Sequence, residues 1–268
     1  MKMDVLGSIH HKLGNEVESV DAYEKLLERN STNLETYKKI IAAKDIKLPE
    51  NISTKVTEAY QGVLAGMLRE YATAFPKVNS HLRVGLRYLW GKDFAEFLDL
   101  YLRPLIIKGV PSVMESLKEF YVIPEKVEQI EAYLNNAIDS METEMTLTPG
   151  DDEEQDPTVI LWLYYFKAQH FLFCNRLQEA LQFVNKAISH TPTLLELYTL
   201  KAKIYQKGGD RQKAATLYEE ARGMDGADRA INAISAMHTL KAGRIEEGTK
   251  IMDMFVKDCG YDISIHDN

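Results

Sequence analysis

Cysteine is scarce in this 268-residue chain, with only Cys174 and Cys259 present and no CxxC pair between them. That excludes a disulfide framework or a zinc–thiolate cluster and fits a reducing compartment, with both thiols read as packing residues. Long apolar runs are missing too. No stretch reaches the ~18–20 apolar residues that span a bilayer, and the N-terminus lacks a signal-peptide core, so the reading is a cytoplasmic protein with no membrane segment. Positive charge is in deficit: 32 Lys+Arg against 40 Asp+Glu give a net charge of −8, which disfavours a whole-molecule nucleic-acid footprint. Catalytic motifs are absent as well. There is no Walker loop, no GxGxxG, no GxSxG and no HExxH. His10 and His11 are adjacent, so on a helix they point about 100° apart and make a poor metal pair. His170, His190 and His238 are scattered among packing and surface positions. We assign no catalytic residue, no metal ligand and no cofactor to the chain itself.

What the sequence does contain is a repeat. From Leu161 to Lys257 residue types recur every 34 positions: Ala168, Ala202 and Ala236; Phe171, Tyr205 and Thr239; Ala180, Ala214 and Gly248; Val184, Tyr218 and Met252; Ala187, Ala221 and Phe255. A small residue followed by an aromatic, then Ala-x3-large and a late proline (Pro192), is the tetratricopeptide pattern. Small residues are needed where two antiparallel helices cross closely, and larger ones fill the space to the next pair. The fold expected is an all-α solenoid of helix pairs in a right-handed superhelix.

Residues 1–147 read as N-terminal helical repeats, partly irregular. Gly7, Gly14, Ser19 and Tyr23 take the phases of the later small and large positions, with Ser31 in place of the late proline. The first helix is short and starts at Met1, as though a longer protein were cut between repeats, and an apolar end face is expected there. The second helix is expected over about Glu16 to Arg29, after a stop at Gly14-Asn15. Another is expected from Ser53 to Phe75. Arg103-Pro104 is read as a helix stop, and Pro111 and Pro124 as first helical residues. Residues 148–157 hold proline, glycine and five acids and read as an acidic mobile linker. Residues 158–268 then form three tetratricopeptide repeats, starting at Thr158 as N-cap. From Thr158 on there are 14 basic and 13 acidic residues, leaving 18 basic and 27 acidic upstream, a net of −9 there.

A solenoid of this kind works through the groove lined by the first helix of each pair. Phase counting places Trp162, Tyr165, Gln169, Leu172 and Phe173 there in one repeat. Thr199, Lys203, Gln206 and Lys207 follow in the next, then Ala230, Ala233, Met237, Leu240 and Lys241. An aromatic and apolar groove turning partly basic suits an amphipathic helix of a partner protein. The Lys/Asn clamp of chaperone-tail adaptors is absent, since its phases hold Tyr165/Gln169, Thr199/Lys203 and Ala233/Met237.

Several segments carry a more specific likeness. They are Lys12-Leu13-Gly14 followed by Leu27-Glu28-Arg29-Asn30, and Leu102-Arg103-Pro104 with Lys108-Gly109-Val110-Pro111. Further on come Leu161-Trp162, Ala168-Gln169-His170, His190 to Thr193, Lys201 to Tyr205, and Ala227-Asp228-Arg229 with Ile231-Asn232. In this order and spacing they resemble the auxiliary subunits of the N-terminal acetyltransferase A complex, over about residues 5 to 258, the central part of a longer scaffold.

The resemblance implies a non-catalytic scaffold that holds and positions a small catalytic subunit, which transfers acetyl from acetyl-CoA to nascent N-termini such as Ser, Ala, Thr and Gly. It implies ribosome association through parts of the full-length protein outside this segment. It also implies an inositol polyphosphate (inositol hexakisphosphate) at the junction with the enzyme, with Lys203, Arg229 and Lys241, and Lys207 nearby, at matching positions. The family's further basic residues are here Ile234, Met237 and Thr216, which thins that site. The competing reading is a generic tetratricopeptide adaptor for another partner.

Overall fold

The computed structural model describes residues 2–256; Cys259 and the end of the 158–268 block lie outside the described residues, as do the side chains of Phe255 and Val256. Among the described residues there are fourteen α-helices and one short 3-10 turn. The chain divides into two compact units, Met1–Asn136 and Ala137–Asn268.

The first unit holds α1 (Lys2–Lys12), α2 (Glu16–Arg29), α3 (Leu34–Ala43), α4 (Glu58–Ala74), α5 (Ser80–Tyr88), α6 (Gly91–Ile107), α7 (Val113–Ser116), the 3-10 turn Lys118–Val122 and the start of α8 (Pro124–Thr143). The second holds the end of α8, then α9 (Thr158–Phe173), α10 (Leu177–His190), α11 (Leu195–Lys207), α12 (Arg211–Met224), α13 (Arg229–Lys241) and α14 (Ile245–Val256). Helices pack in consecutive pairs, α1 with α2, α9 with α10, α11 with α12 and α13 with α14.

The 34-residue spacing has a structural counterpart in each pair. Gly7 and Ser19, Ala168 and Ala180, Ala202 and Ala214, and Ala236 and Gly248 are all buried where the two helices cross. In the first pair Ser19 Oγ donates to the Gly7 carbonyl at 2.9 Å. A side chain is excluded at Gly7, where a Cβ would lie 2.6 Å from the Tyr23 ring, and at Gly248, where it would lie 2.6 Å from Leu240 Cδ2.

The turn inside each pair also recurs. Gly14, Asn175, Gly209 and Gly243 take left-handed φ values of 75°, 61°, 87° and 82°. The next residue then bonds back around the helix end: Asn15 N–H to His10 O, Arg176 to Phe171, Asp210 to Tyr205 and Arg244 to Thr239, at 2.8 to 3.1 Å. This is the Schellman stop, for which glycine is favoured and asparagine is the usual substitute. Between pairs a tyrosine does the tying. Tyr37 Oη donates to the Ser31 carbonyl at 2.8 Å, and Tyr198 Oη to the Pro192 carbonyl at 2.9 Å. Successive pairs then stack: Ile231 of α13 closes a core with Ala202, Leu217, Tyr218 and Ala221.

The irregular part differs from expectation at two prolines and one helix start. Pro104 does not stop its helix but lies inside α6, which continues to Ile107. Ile106 is fully buried and Lys108 N–H bonds to the Pro104 carbonyl at 3.2 Å, so packing holds the last turn. Leu100, whose carbonyl loses its donor, is 41% exposed. Pro124 does open α8, whereas Pro111 sits in a turn and α7 begins at Val113. The helix expected from Ser53 begins at Glu58, with Val56 buried ahead of it.

The centre of this unit holds an unexpected cation. Lys126, in the first turn of α8, is fully buried, with its ammonium 4.8, 4.8 and 5.0 Å from the rings of Trp90, Phe94 and Phe120. It donates to the carbonyls of Leu86 and Arg87, at the end of α5, at 2.5 and 3.0 Å. Burial pushes it down to about 7, with Glu119 and Glu125 pulling the other way and Arg87 adding to the fall.

Candidate partner-binding surface

α9 is the first helix lying wholly in the second unit. Its first N–H, on Thr158, bonds to Asp156 Oδ1 at 2.8 Å, so the cap is Asp156 rather than Thr158 itself. The side-chain and backbone bonds from Thr158 hold the Asp156 carboxyl below its usual range. Upstream, the acidic segment is tied at two points, Gly150 N–H to Glu144 Oε2 at 3.0 Å and Gln155 N–H to the Met145 carbonyl at 2.7 Å.

α9 is apolar on every side, the pattern of a helix enclosed by neighbours, and eleven of its sixteen residues are buried. Of the five groove residues expected on it, Tyr165, Gln169 and Leu172 are buried, at 6%, 8% and 9% exposure. Trp162 and Phe173 keep part of their rings open. Trp162 is fixed edge-on to Tyr165 at 5.7 Å and stacked on Phe166 at 6.1 Å. The Phe171 ring lies between the Lys167 ammonium at 4.8 Å and the Arg176 guanidinium at 4.3 Å. His170 is fully buried, with Nε2 3.7 Å from Cys174 Sγ. Of the five expected groove residues on α9, Trp162 and Phe173 are thus the two left partly exposed.

On α11 and α13 the expected positions are more open. Lys203, Gln206, Lys207, Ala230, Ala233, Met237 and Lys241 are exposed, and Thr199 and Leu240 partly so. Lys207 Nζ reaches back to the Leu172 carbonyl at 2.7 Å, which commits part of its donor capacity. A cavity of about 540 Å³ runs along α13, with Ala233, Ala236, Met237, Leu240 and Met252 as its apolar floor and Arg229 and Lys241 in its wall. Those two cations are 12 residues apart on one helix, or about 18 Å along its axis. The cavity brings Arg229 and Lys241 to one groove but not to one point, and Lys203 and Lys207 lie outside it.

Asn232 is a polar lining residue that phase counting missed. It is buried, its Nδ2 donates to the Ile251 carbonyl at 3.1 Å, and its Oδ1 has no partner among the described residues. The available signal was an asparagine at the position of Tyr198 one repeat earlier. Nearby, His238 stacks on Tyr218 with centroids 4.3 Å apart, and burial, reinforced by Lys241, lowers the imidazole. Among the described residues no group of three or more His, Cys, Asp or Glu side chains is placed to hold a metal. No helix among them is long and apolar enough to cross a membrane.

Comparison with known proteins adds four findings. Residues 1–266 match the family model described as N-terminal acetyltransferase A, auxiliary subunit. The human N-alpha-acetyltransferase 16, NatA auxiliary subunit, is 33% identical over 256 residues, covering 95% of this chain and 28% of the human protein. The Arabidopsis thaliana N-terminal acetyltransferase A complex auxiliary subunit NAA15 is 32% identical over 204 residues, 76% of this chain and 23% of its own length. Among solved structures, a chain in the structure of Naa15/Naa10 bound to HypK-THB superposes with a TM-score of 0.77 and 27% identity, covering 94% of this chain and 36% of that one.

Proposed function

The chain belongs to the auxiliary-subunit family of N-terminal acetyltransferase A, and from that premise we propose that it is a non-catalytic segment that helps grip and position a catalytic acetyltransferase subunit. The observation that carries the proposal is the likeness, over nearly the whole chain, to a chain of the Naa15/Naa10 assembly. Acetyl-CoA and the chemistry belong to the partner, which modifies nascent N-termini in the cytoplasm. Ribosome contact belongs to parts of the full-length protein outside these residues.

Local geometry supports this reading. The open rings of Trp162 and Phe173 give apolar anchor points, and the exposed stripe of α11 and α13 continues them. The four cations Lys203, Lys207, Arg229 and Lys241 form part of an inositol polyphosphate site in the proposal. Because Arg229 and Lys241 lie about 18 Å apart along α13, one small polyanion engages one end of that helix and needs cations from the enzyme to complete its shell.

The test is co-purification of this chain with its organism's small acetyltransferase, with acetylation of a Ser-starting peptide measured with and without it. A stable complex with altered activity is expected. Absence of binding both by this chain and by the longer protein containing it would overturn the proposal in favour of an adaptor for another partner. Inositol hexakisphosphate should tighten the complex in low salt and lose that effect in Lys203→Gln.

A further inference from the structure

The first unit carries a cluster of cations that the scaffold reading does not use. Between α3 and α5 lies a cavity of about 370 Å³ whose wall includes Lys38, Arg83 and Arg87, with Glu119, Val84 and Tyr88. Three cations meet here in the part of the chain that is otherwise strongly acidic. Arg83 and Arg87 are one turn apart on α5 and so project from the same face, and Lys38 comes across from α3.

The three cations are unequally satisfied. Arg87 pairs with Glu119 at 2.5 Å and lies 5.8 Å from the Tyr88 ring. Lys38 pairs with Glu35 at 2.6 Å. The bond to Glu35 raises the Lys38 ammonium, with burial and, least of all, the nearby Arg87 charge working against it. Arg83 is exposed, and its side chain has neither a hydrogen bond nor an ion pair among the described residues. The cavity thus presents one uncommitted guanidinium beside a second guanidinium and an ammonium.

We propose that this cavity binds a phosphomonoester, with Arg83 and Arg87 gripping the phosphate, Lys38 completing the shell, and Val84 and Tyr88 lining the ester's carbon side. A guanidinium offers a planar fork that matches phosphate oxygens, and two forks with an ammonium suit a dianion better than a carboxylate. The volume is larger than a bare oxyanion needs. Val84 and Tyr88, buried to 3% and 7% exposure, give an attached carbon group a firm wall. The ester belongs either to a phosphorylated peptide or to a small organic phosphate.

The test titrates the whole chain with phenyl phosphate, inorganic phosphate, a phosphoserine heptapeptide and benzoate, by calorimetry in chloride buffer. Saturable binding of the phosphates is expected, with benzoate at least tenfold weaker. Affinity should rise between pH 5 and 7 as the ester takes its second charge near pH 6. Arg83→Gln, a change at a side chain with no partner to release, should weaken phenyl phosphate at least fivefold. Arg83→Lys should fall between, and a change at the exposed Lys250, Lys250→Gln, should leave binding as it is. A peptide binding more tightly than phenyl phosphate identifies a phosphorylated protein as the source, and the reverse order identifies a small molecule. Equal binding of benzoate, undiminished binding in Arg83→Gln, or no saturable binding of any phosphate would overturn the proposal.

Discussion

The ammonium of Lys126 lies 2.5 Å from the Leu86 carbonyl, inside a cage of three aromatic rings and with no exposed surface. Its fall to about 7 from an ordinary 10.5 fixes the sign of a pH effect. Below pH 7 the group is charged in both folded and unfolded chains, and the fold bears the whole cost of burying it. Between about 7 and 10.5 the unfolded chain binds a proton that the folded one does not, so stability rises with pH. Urea denaturation from pH 7 to 10 should show a gain on the order of 2–4 kcal/mol, reduced by the ring faces and carbonyls that favour the charge. Lys126→Met should flatten that slope.

His81 extends the same trend to the acid side. It is 1% exposed, its Nδ1 has no partner, and burial pushes the imidazole down to about 4. From pH 6.5 to 4 the unfolded chain takes up a proton that the folded chain refuses, so stability falls, by about 3 kcal/mol for a shift of this size. A pH series of thermal melts on the native chain and His81→Leu should differ in slope over that range and run parallel above it.

Two glycines predict opposite signs for the same substitution. Gly62 is exposed in α4 with nothing near its missing Cβ, so Gly62→Ala should stabilise by about 0.5–1 kcal/mol through helix propensity. Gly85 lies against the Phe97 ring, itself fully buried, so Gly85→Ala should destabilise by about 1–3 kcal/mol. Chemical denaturation of both variants checks the pair.

For partner binding, Trp162→Ala and Phe173→Ala should weaken capture of the catalytic subunit, each by about 1–2 kcal/mol if it is an anchor. Gln169→Ala should act on stability instead, since that side chain is 8% exposed. Surface-plasmon titration alongside melting curves separates the two effects. Equal losses of affinity in all three variants at unchanged stability would contradict this assignment.

The repeat was legible because its cause is local and periodic. Crossing residues such as Ala202 and Ala214 must be small in every pair, and the bounds of α2 follow from Gly14 and a regular apolar stripe. The groove on α9 was only half legible. Phase counting puts Tyr165, Gln169 and Leu172 on the same stripe as Trp162 and Phe173, and only the all-round apolar character of α9 hints that most of it is enclosed. Pro104 was misread because a helix stop inferred from one residue ignores the burial of Ile106 two residues on. The Lys126 cage and the Arg83 cluster were invisible. Lys38 precedes Arg83 by 45 residues and Trp90 precedes Lys126 by 36, so these groups meet only once α3, α5, α6 and α8 have packed.

The left-handed turn that returns at Asn175, Gly209 and Gly243 gives the second unit a graduated mechanical response. Each 34-residue pair is closed mostly on itself and on its immediate neighbour. Held between two anchors and stretched, the unit would pay out in steps, each releasing about 12 nm of extended chain. A scaffold built this way can lengthen under load one pair at a time while the remaining pairs stay folded.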